Sequence, residues 1–103
     1  MTITQLKYVL AVAENKNFTK AAQKTFVTQP TLSMQIKKAE ETLGNLIFDR
    51  SRQPLEVTKF GQELLPYLRD TLFEYQKINE FVARSKGVFK QEIRIAIIPT
   101  IAG

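Results

Sequence analysis

A helix predicted over residues 29–43 carries a polar face whose side chains suit contact with nucleic acid. Amide and hydroxyl groups on this face are of the kind that pair with base edges in the major groove, and its lysines suit phosphates. The free N–H groups behind Thr28, at the helix N-terminus, can also receive a phosphate. The alternative is a solvated helix face with no ligand. We expect base contacts from Gln29, Thr31 and Gln35 and phosphate contacts from Lys37 and Lys38, with Met34 on the same face.

A second basic feature follows in the polar segment 49–54, which contains a proline and is flanked by apolar or alternating residues. This pattern predicts a two-stranded hairpin, or wing, with a basic tip. Arg50 and Arg52 on the tip suit the narrow minor groove, whose negative potential attracts arginine. The alternatives are ion pairs with Asp49 or Glu56, and for Arg50 a role in anchoring the wing to the helices.

Two short helices are predicted ahead of the polar helix. Thr2 and Gln5 form a capping box for a first helix over residues 3–15. Thr19 is predicted to cap the second helix, with Phe18 packed back over it. By their helical spacing, the residues that face inward are predicted to be Leu6, Val9, Leu10, Ala13, Ala21, Ala22 and Phe26.

The third helix is predicted to begin after Thr28, with Pro30 in its first turn and Gly44 as its C-terminal stop. Almost nothing separates it from the second helix, which is typical of a helix-turn-helix. Its buried face is predicted to consist of Leu32, Ile36, Ala39 and Leu43. The fold class is therefore mainly α: a winged helix-turn-helix followed by a long C-terminal dimerisation helix.

The fourth helix is predicted over residues 59–87, after the cap Thr58. Its apolar spacing predicts a coiled-coil seam of about three heptads, and Pro66 predicts a local kink or a lost hydrogen bond. A helix of about 28 residues is about 42 Å long, which is longer than the helix-turn-helix domain that it leaves. Most of its apolar stripe would be exposed to water, so we expect a second copy of the chain to cover the seam. The alternatives are packing against its own domain and, less well supported, a membrane-surface helix. Dimerisation is assigned to Leu65, Leu68, Leu72, Tyr75, Asn79 and Val82, after Gly61.

Composition narrows the function further. The net charge is +5, and residues 1–60 hold nine basic against five acidic side chains, as expected of a half that meets phosphates. The chain has no cysteine and no histidine, so we expect no disulfide, zinc finger, other metal site or cofactor. No signal peptide or membrane span is predicted, and the expected compartment is the cytoplasm.

The domain organisation is predicted in three parts. Residues 1–58 form the DNA-binding domain and residues 59–87 the linker helix, which ends at Ser85-Lys86-Gly87. Residues 88–103 hold a hinge and the first strand, from Glu92 to Ile98, of a truncated second domain.

Several ordered motifs together resemble the N-terminal domain of LysR-type regulators. The first is Phe18-Thr19-Lys20-Ala21-Ala22, and the second runs Thr28-Gln29-Pro30-Thr31-Leu32-Ser33-Met34-Gln35-Ile36. Leu43-Gly44, Leu46-Ile47-Phe48-Asp49-Arg50 and Val57-Thr58-Lys59-Phe60-Gly61 follow in order. The Gln-Pro-Thr-Leu-Ser stretch and Ile98-Pro99-Thr100 resemble the OxyR, peroxide-sensing branch of that family.

The resemblance implies a transcription activator or repressor that dimerises through the linker helix, commonly forms tetramers, and carries a C-terminal effector domain. RNA polymerase is a further candidate partner. By residue, the resemblance implies DNA contacts for Gln29, Pro30, Thr31, Ser33 and Arg52 and an effector-pocket role for Thr100. Ala39 and Phe60 depart from the family's usual leucine and alanine, and Met34 stands where a polar residue or glycine is common.

Three classes of function remain to be separated. The first is a DNA-binding regulator, responsive to peroxide or alternatively to a small-molecule metabolite. The second is a coiled-coil protein-interaction module that does not bind DNA. The third is an enzyme, which the residues disfavour because no predicted cleft gathers Asp, Glu, Lys, Ser or Tyr side chains. The sequence favours the regulator.

Overall fold

The computed structural model describes the backbone of residues 1–92 and the side chains of residues 1–86. The chain divides into two units, residues 1–72 and a second unit that begins at Phe73, and each is described by itself. The elements in order are α1 (Ile3–Asn15), α2 (Phe18–Lys24), α3 (Gln29–Leu43), β1 (Phe48–Asp49), β2 (Glu56–Val57) and α4 (Lys59–Glu92).

The predicted capping box at the start of α1 is confirmed. The Thr2 hydroxyl accepts a hydrogen bond from the Gln5 backbone N–H at 3.1 Å, and the Gln5 side chain accepts one from the Thr2 N–H at 3.1 Å. These two bonds satisfy donors that the helix leaves free at its N-terminus. The buried face of α1 comprises Leu6, Val9, Leu10 and Val12, whereas Ala13 is half-buried.

The prediction for α2 was wrong at both ends. Its N-cap is Asn17, whose side chain accepts from the Lys20 N–H at 2.9 Å, so Thr19 lies inside the helix. At the other end Phe26 takes a left-handed φ of 59° and is 93% exposed. The Val27 N–H donates to the Ala22 carbonyl at 3.0 Å, which is the Schellman arrangement of a helix C-terminus. The turn therefore places Phe26 at a position usually held by glycine and directs its side chain to solvent.

The predicted bounds of α3 are confirmed at both ends. The Thr28 hydroxyl accepts from the Thr31 N–H at 3.3 Å, and Pro30 lies in the first turn. Gly44 ends the helix with a left-handed φ of 75°. Ala39, expected to fill the stripe only weakly, is fully buried together with Leu32 and Ile36, while Leu43 is half-buried.

The predicted wing is present as the antiparallel pair β1 and β2, in which Phe48 lies opposite Val57. The first turn of α4 packs tightly beneath it at Gly61. A methyl group on Gly61 would lie 2.5 Å from the Ile47 carbonyl oxygen and 2.7 Å from Cγ1 of Val57. No larger residue fits without moving backbone, so glycine here permits a close approach between helix and hairpin.

The core of residues 1–72 joins all of these elements, and it corrects the expected dimer seam. Leu65 is 7% exposed and Leu68 is 3% exposed, and both belong to the domain's own core cluster. Leu72 is partly buried against the same cluster. The assignment of Leu65 and Leu68 to a dimer interface was therefore wrong, because the core of the single chain already buries both side chains. The core residues are Leu6, Val9, Leu10, Val12, Ala21, Ala22, Leu32, Ile36, Ile47, Phe48, Leu65 and Leu68.

The helix α4 also differs from its prediction in length. It continues through Gly87 to Glu92, where the sequence predicts an end at residue 87. A single glycine costs a helix only about 1 kcal/mol relative to alanine, which flanking helix formers can offset. Pro66 lies inside the helix and leaves one carbonyl without its usual donor. Glu92, the predicted first residue of the strand, is the last residue of α4. The rest of that predicted strand, to Ile98, and Thr100 lie outside the described residues.

Candidate nucleic-acid interface

The N-terminal turn of α3 presents an exposed row of polar groups. Thr28 and Gln29 are exposed, and the Thr28 hydroxyl donates to the Thr31 hydroxyl at 2.8 Å. Pro30 has no N–H and the Thr28 hydroxyl accepts from the N–H of Thr31, so the N–H of Gln29 and the helix dipole are what favour an anion at this end. This end of α3 is therefore suited both to base edges and to a phosphate.

The two glutamines expected to read bases are each held from behind by another helix. The Thr19 hydroxyl of α2 donates to Oε1 of Gln29 at 3.1 Å. The Gln5 amide of α1 donates to Oε1 of Gln35 at 3.0 Å. Each contact engages the side-chain carbonyl oxygen of a glutamine and restricts its rotamer. The amide NH₂ group is the donor that each glutamine can offer to a base edge.

The remaining predicted residues of α3 are distributed across one face of the helix. By helical register Gln29 and Ser33 lie on one edge, Thr31 and Gln35 on the other, and Met34 between them. Ser33 and Gln35 are half-buried at these edges. The exposed members of the set are Thr28, Gln29, Pro30, Thr31, Met34, Lys37 and Lys38. The structure thus brings the predicted base-contacting and phosphate-contacting residues together on one surface.

The wing places Arg52 in the exposed position that the sequence predicts. Its side chain is 64% exposed, and its Nε lies 3.7 Å from carboxylate oxygens of both Asp49 and Glu56. Hydrogen bonds from the Ser51 hydroxyl and from its backbone N–H lower the pKa of Asp49 below its usual value, with a smaller contribution from Arg52. Exposed pairs at this distance contribute little to stability, so Arg52 can exchange them for a phosphate or a groove.

The guanidinium of Arg50 is directed into the protein. Its Nη2 lies 3.2 Å from Oε1 of the buried Glu40, and its Cζ lies 5.1 Å from the centre of the Phe18 ring. These contacts correspond to the anchoring alternative for Arg50, although the partner is neither of the two acids that the sequence suggested. The side chain keeps partial exposure, and a DNA contact by Arg50 stays a prediction.

A cleft lies between the edge of α3 and the wing. It has a volume of about 390 Å³ and is lined by both Gln29 and Ser33 of α3 and by Arg50, Gln53 and Leu55 of the wing segment. The loop before α2 closes its third side with Lys16 and Asn17. Gln29 and Ser33 of α3 therefore border the same groove as the wing.

Three residues of this surface were missed from the sequence. Thr19 and Gln5 hold the glutamines, and each is 10 or 30 residues away from its partner in the chain. Glu40, to which the sequence assigned no role, is 4% exposed and accepts from the Ile47 N–H at the entry to the wing. Only the spacing of Thr2 and Gln5 in the capping box gave a local signal near any of them. Long-range contacts of this kind leave no periodicity in a sequence.

Within residues 1–92 no helix has the length and apolar composition that crossing a bilayer requires. The same described part of the chain holds no group of three or more metal-ligating side chains. The surface presents the N-terminus of α3, the amides of two glutamines, two lysines and an exposed arginine on the wing. A helix-turn-helix with a wing and this surface defines the class of winged DNA-binding proteins.

Comparison with known proteins identifies the family. Residues 3–62 match the bacterial regulatory helix-turn-helix proteins of the lysR family. The DNA-binding transcriptional dual regulator OxyR of Escherichia coli (strain K12) is 34% identical over 101 residues, which are 98% of this chain and 33% of OxyR. The chain belongs to the lysR family, whose members are transcription regulators. It spans about a third of the length of the curated relatives it matches.

Solved structures agree with this assignment. Full-length OxyR C199D from Pseudomonas aeruginosa is similar with a TM-score of 0.80 and 37% identity, over 84% of this chain and 29% of that one. The BenM DNA-binding domain in complex with benA site 1 DNA is similar with a TM-score of 0.73 and 34% identity, over 85% of this chain and 96% of that one. The predicted fold class, a winged helix-turn-helix with a linker helix, is confirmed.

Proposed function

We propose that this chain is the DNA-reading part of a LysR-type transcription regulator that binds pseudo-palindromic promoter sites as a dimer. One observation carries the proposal: the exposed N-terminal turn of α3, in which Thr19 of the preceding helix donates to Oε1 of the exposed Gln29 at 3.1 Å. A recognition helix must present such residues to base edges while the preceding helix lies across the backbone. The relatives that form DNA complexes through the same fold support the proposal.

The division of labour follows from the chemistry of each group. Gln29, Thr31 and Gln35 carry the base readout, and Met34 adds an apolar contact that suits a thymine methyl. Lys37 and Lys38 neutralise phosphates, and the N-terminus of α3 at Thr28 favours a phosphate through the helix dipole, which gives affinity without sequence information. Pro30 and Ser33 lie beside these groups and shape the approach of α3 to the groove.

A second copy of the chain supplies the second half-site. In the unit that begins at Phe73, the exposed apolar side chains include Ile78 at 58% and Phe81 at 63%, with Val82 beside them. Of the predicted seam, Asn79 and Val82 are exposed, and Ile78 and Phe81 lie beside them outside that seam, so we place the dimer contact on this part of α4. The family resemblance implies pairing of linker helices in an antiparallel direction, which presents two recognition helices to DNA about one helical turn apart.

The effector follows from the relatives and is part of the same proposal. Several relatives that match 98% of this chain are hydrogen peroxide-inducible genes activators. We therefore propose that the full protein is a peroxide-responsive activator of the OxyR type. A regulator responsive to a small-molecule metabolite is the alternative. The proposal includes a cytoplasmic, non-enzymatic protein that forms tetramers at full length and contacts RNA polymerase, with Thr100 in the effector pocket.

Replacing Gln29 with alanine tests the readout. We expect the loss to fall on particular base pairs, by about 1–3 kcal/mol where Gln29 makes a paired contact. The pairs that present acceptors to the Gln29 NH₂ group should suffer most. Binding is measured by titrating an operator and its single-pair variants with the parent and Gln29→Ala chains. Gln76→Ala, an exposed glutamine on α4, is the matched control.

Replacing Lys37 with alanine gives the contrasting result. All sequences should be bound more weakly by the same factor, and the slope of log K against log salt should fall by about 0.9 for each lost phosphate contact. If Gln29→Ala weakens every variant equally, as Lys37→Ala does, α3 does not read bases. If the parent shows no preference among operators at all, the chain is not the sequence-specific part of a regulator.

Replacing Arg52 with alanine tests the wing. We expect the loss in affinity to be largest on operators with A·T-rich flanks, where the minor groove is narrow and its potential most negative. The loss should be about fivefold to tenfold, a typical value for one groove contact. Arg52→Lys should recover only part of it, because lysine is the more strongly hydrated cation. An equal loss on G·C-rich flanks would instead indicate a phosphate contact.

A further inference from the structure

Glu40 is a buried carboxylate in the last turn of α3 with three donors directed at it. Its Oε2 accepts from the backbone N–H of Ile47 at 2.7 Å and from that of Phe48 at 3.3 Å. Its Oε1 accepts from Nη2 of Arg50 at 3.2 Å. The side chain is 4% exposed, so the charge is stable only because these donors replace the water that burial removes.

These donors all belong to the wing and its entry. Ile47 and Phe48 lead into β1, and Arg50 follows β1 directly. The same guanidinium lies over the ring of Phe18, the first residue of α2, and that ring meets Phe48 edge-on at a centroid distance of 6.2 Å. One side chain of the recognition helix is thereby fixed to both ends of a short hairpin strand, and the strand in turn to α2.

Apolar packing of Ile47, Phe48 and Val57 holds the base of the wing against the core, and Glu40 adds directional hydrogen bonds to it. Each strand has two residues, and a hairpin of this size is marginal by itself in water. A wing contact with DNA requires the tip to lie at a fixed offset from the recognition helix. Among the described residues, the hydrogen bonds of Glu40 link α3 directly to β1 and to the residues on either side of it.

We infer that Glu40 is the positioning residue that sets the wing, and with it Arg52, at the offset from α3 that simultaneous contact with both grooves requires. The inference rests on the proposed function. It predicts a change in DNA affinity opposite to the one that charge alone would cause. Removing a negative charge from a DNA-binding domain normally strengthens binding. Loss of Glu40 should weaken it, because the Arg52 contact is lost while the bases are still read.

The first arm of the test is a double-mutant cycle on operator affinity. Glu40→Gln is expected to weaken binding about tenfold in the parent, and by less than about twofold in a chain that already carries Arg52→Ala. Glu41→Gln removes the same charge from the neighbouring, exposed position of α3 and is the matched control. It should leave binding unchanged or slightly tighter. Discrimination among base pairs read by Gln29 should be retained in Glu40→Gln.

The second arm needs no DNA. Amide hydrogen exchange of Ile47 and Phe48 should become at least about tenfold faster in Glu40→Gln, while the amides of the middle of α3 keep their protection. Arg50→Met, at a partly exposed position, provides a second variant if Glu40→Gln folds poorly. It removes one donor, leaves the carboxylate in place, and should loosen the wing to a smaller degree.

The two arms separate the possible failures. Additive losses in Glu40→Gln and Arg52→Ala, or a Glu40→Gln chain that binds like the parent, overturn the inference and leave the proposed function intact. Unchanged exchange at Ile47 and Phe48 overturns it as well, whatever the DNA result. A parent chain that binds no operator contradicts the proposed function, and faster exchange would then still show that Glu40 holds the wing.

Discussion

Replacing Phe48 with alanine is expected to destabilise the unit of residues 1–72 by about 3–5 kcal/mol. Phe48 is among the largest fully buried side chains, and its ring packs edge-on against Phe18. Truncation removes this area from the core and leaves a cavity between the wing and the helices. Since a domain of this size has a total stability of about 5–15 kcal/mol, the variant should lose a large part of it. Urea unfolding followed by circular dichroism gives the value.

The matched control lies two residues earlier in the chain. Leu46 is 64% exposed, and Leu46→Ala should change the free energy of unfolding by about 0.5 kcal/mol or less. Operator binding should fail at a lower temperature in Phe48→Ala than in the control. If the two substitutions cost the same, the wing is not part of the core and its orientation cannot depend on these contacts.

The helices α1 and α3 were predictable because residues next to their ends cap them. Thr2 with Gln5, Thr28 with Pro30, and Gly44 each act within one turn of the residue they cap. The helix α2 shows where this kind of signal fails. Asn17 and Thr19 are both good caps, and Phe18 between them packs against Phe48 of the wing, 30 residues away, a contact that no local pattern shows.

The same limit explains Phe26 and Glu40. An aromatic residue at the end of an apolar stripe predicts burial, but the left-handed turn that ends α2 directs Phe26 outward. An acidic residue near the end of a polar face predicts exposure, but three donors of the hairpin and its entry bind the buried carboxylate of Glu40. Neither outcome is a property of the segment that contains the residue. Both depend on tertiary contacts, which override local preference.

The sequence singles out candidate DNA-contacting residues, but it does not show which contacts hold their side chains. Gln29, Lys37 and Arg52 stand out by residue type and by their place on a helix or hairpin. That Thr19 and Gln5 orient the two glutamines requires knowing how α1 and α2 cross α3. A recognition surface is therefore easier to find in a sequence than the contacts that orient its side chains.

The spacing of α4 has the same ambiguity on a larger scale. Alternating steps of four and three residues describe a stripe that faces one apolar partner, whether that partner is another chain or the rest of the domain. The structure divides the stripe: Leu65 and Leu68 face the domain, whereas Val82 is exposed. A substitution at Leu68 would unfold the domain and would say nothing about assembly.

Replacing Ile78 and Phe81 together with glutamate is expected to abolish dimerisation without unfolding residues 1–72. Both side chains are exposed in the single chain, and each contributes about 1.5–3 kcal/mol when a large apolar side chain is buried. The parent should sediment as a dimer at micromolar concentration and the variant as a monomer. Gln76→Glu with Ala83→Glu adds the same charge to exposed positions on another face of α4 and should leave the dimer intact.

DNA binding gives the second and larger readout of the same variant. A dimer binds its second half-site at the effective concentration set by the first, so loss of the dimer should weaken binding to the full operator by about 10²-fold or more. Binding to an isolated half-site should be unchanged, because α3 and the wing are untouched. A variant that binds both sites like the parent would show that α4 does not join the two chains. If the variant also loses half-site binding, Ile78 and Phe81 stabilise the DNA-binding unit itself, contrary to what their exposure indicates.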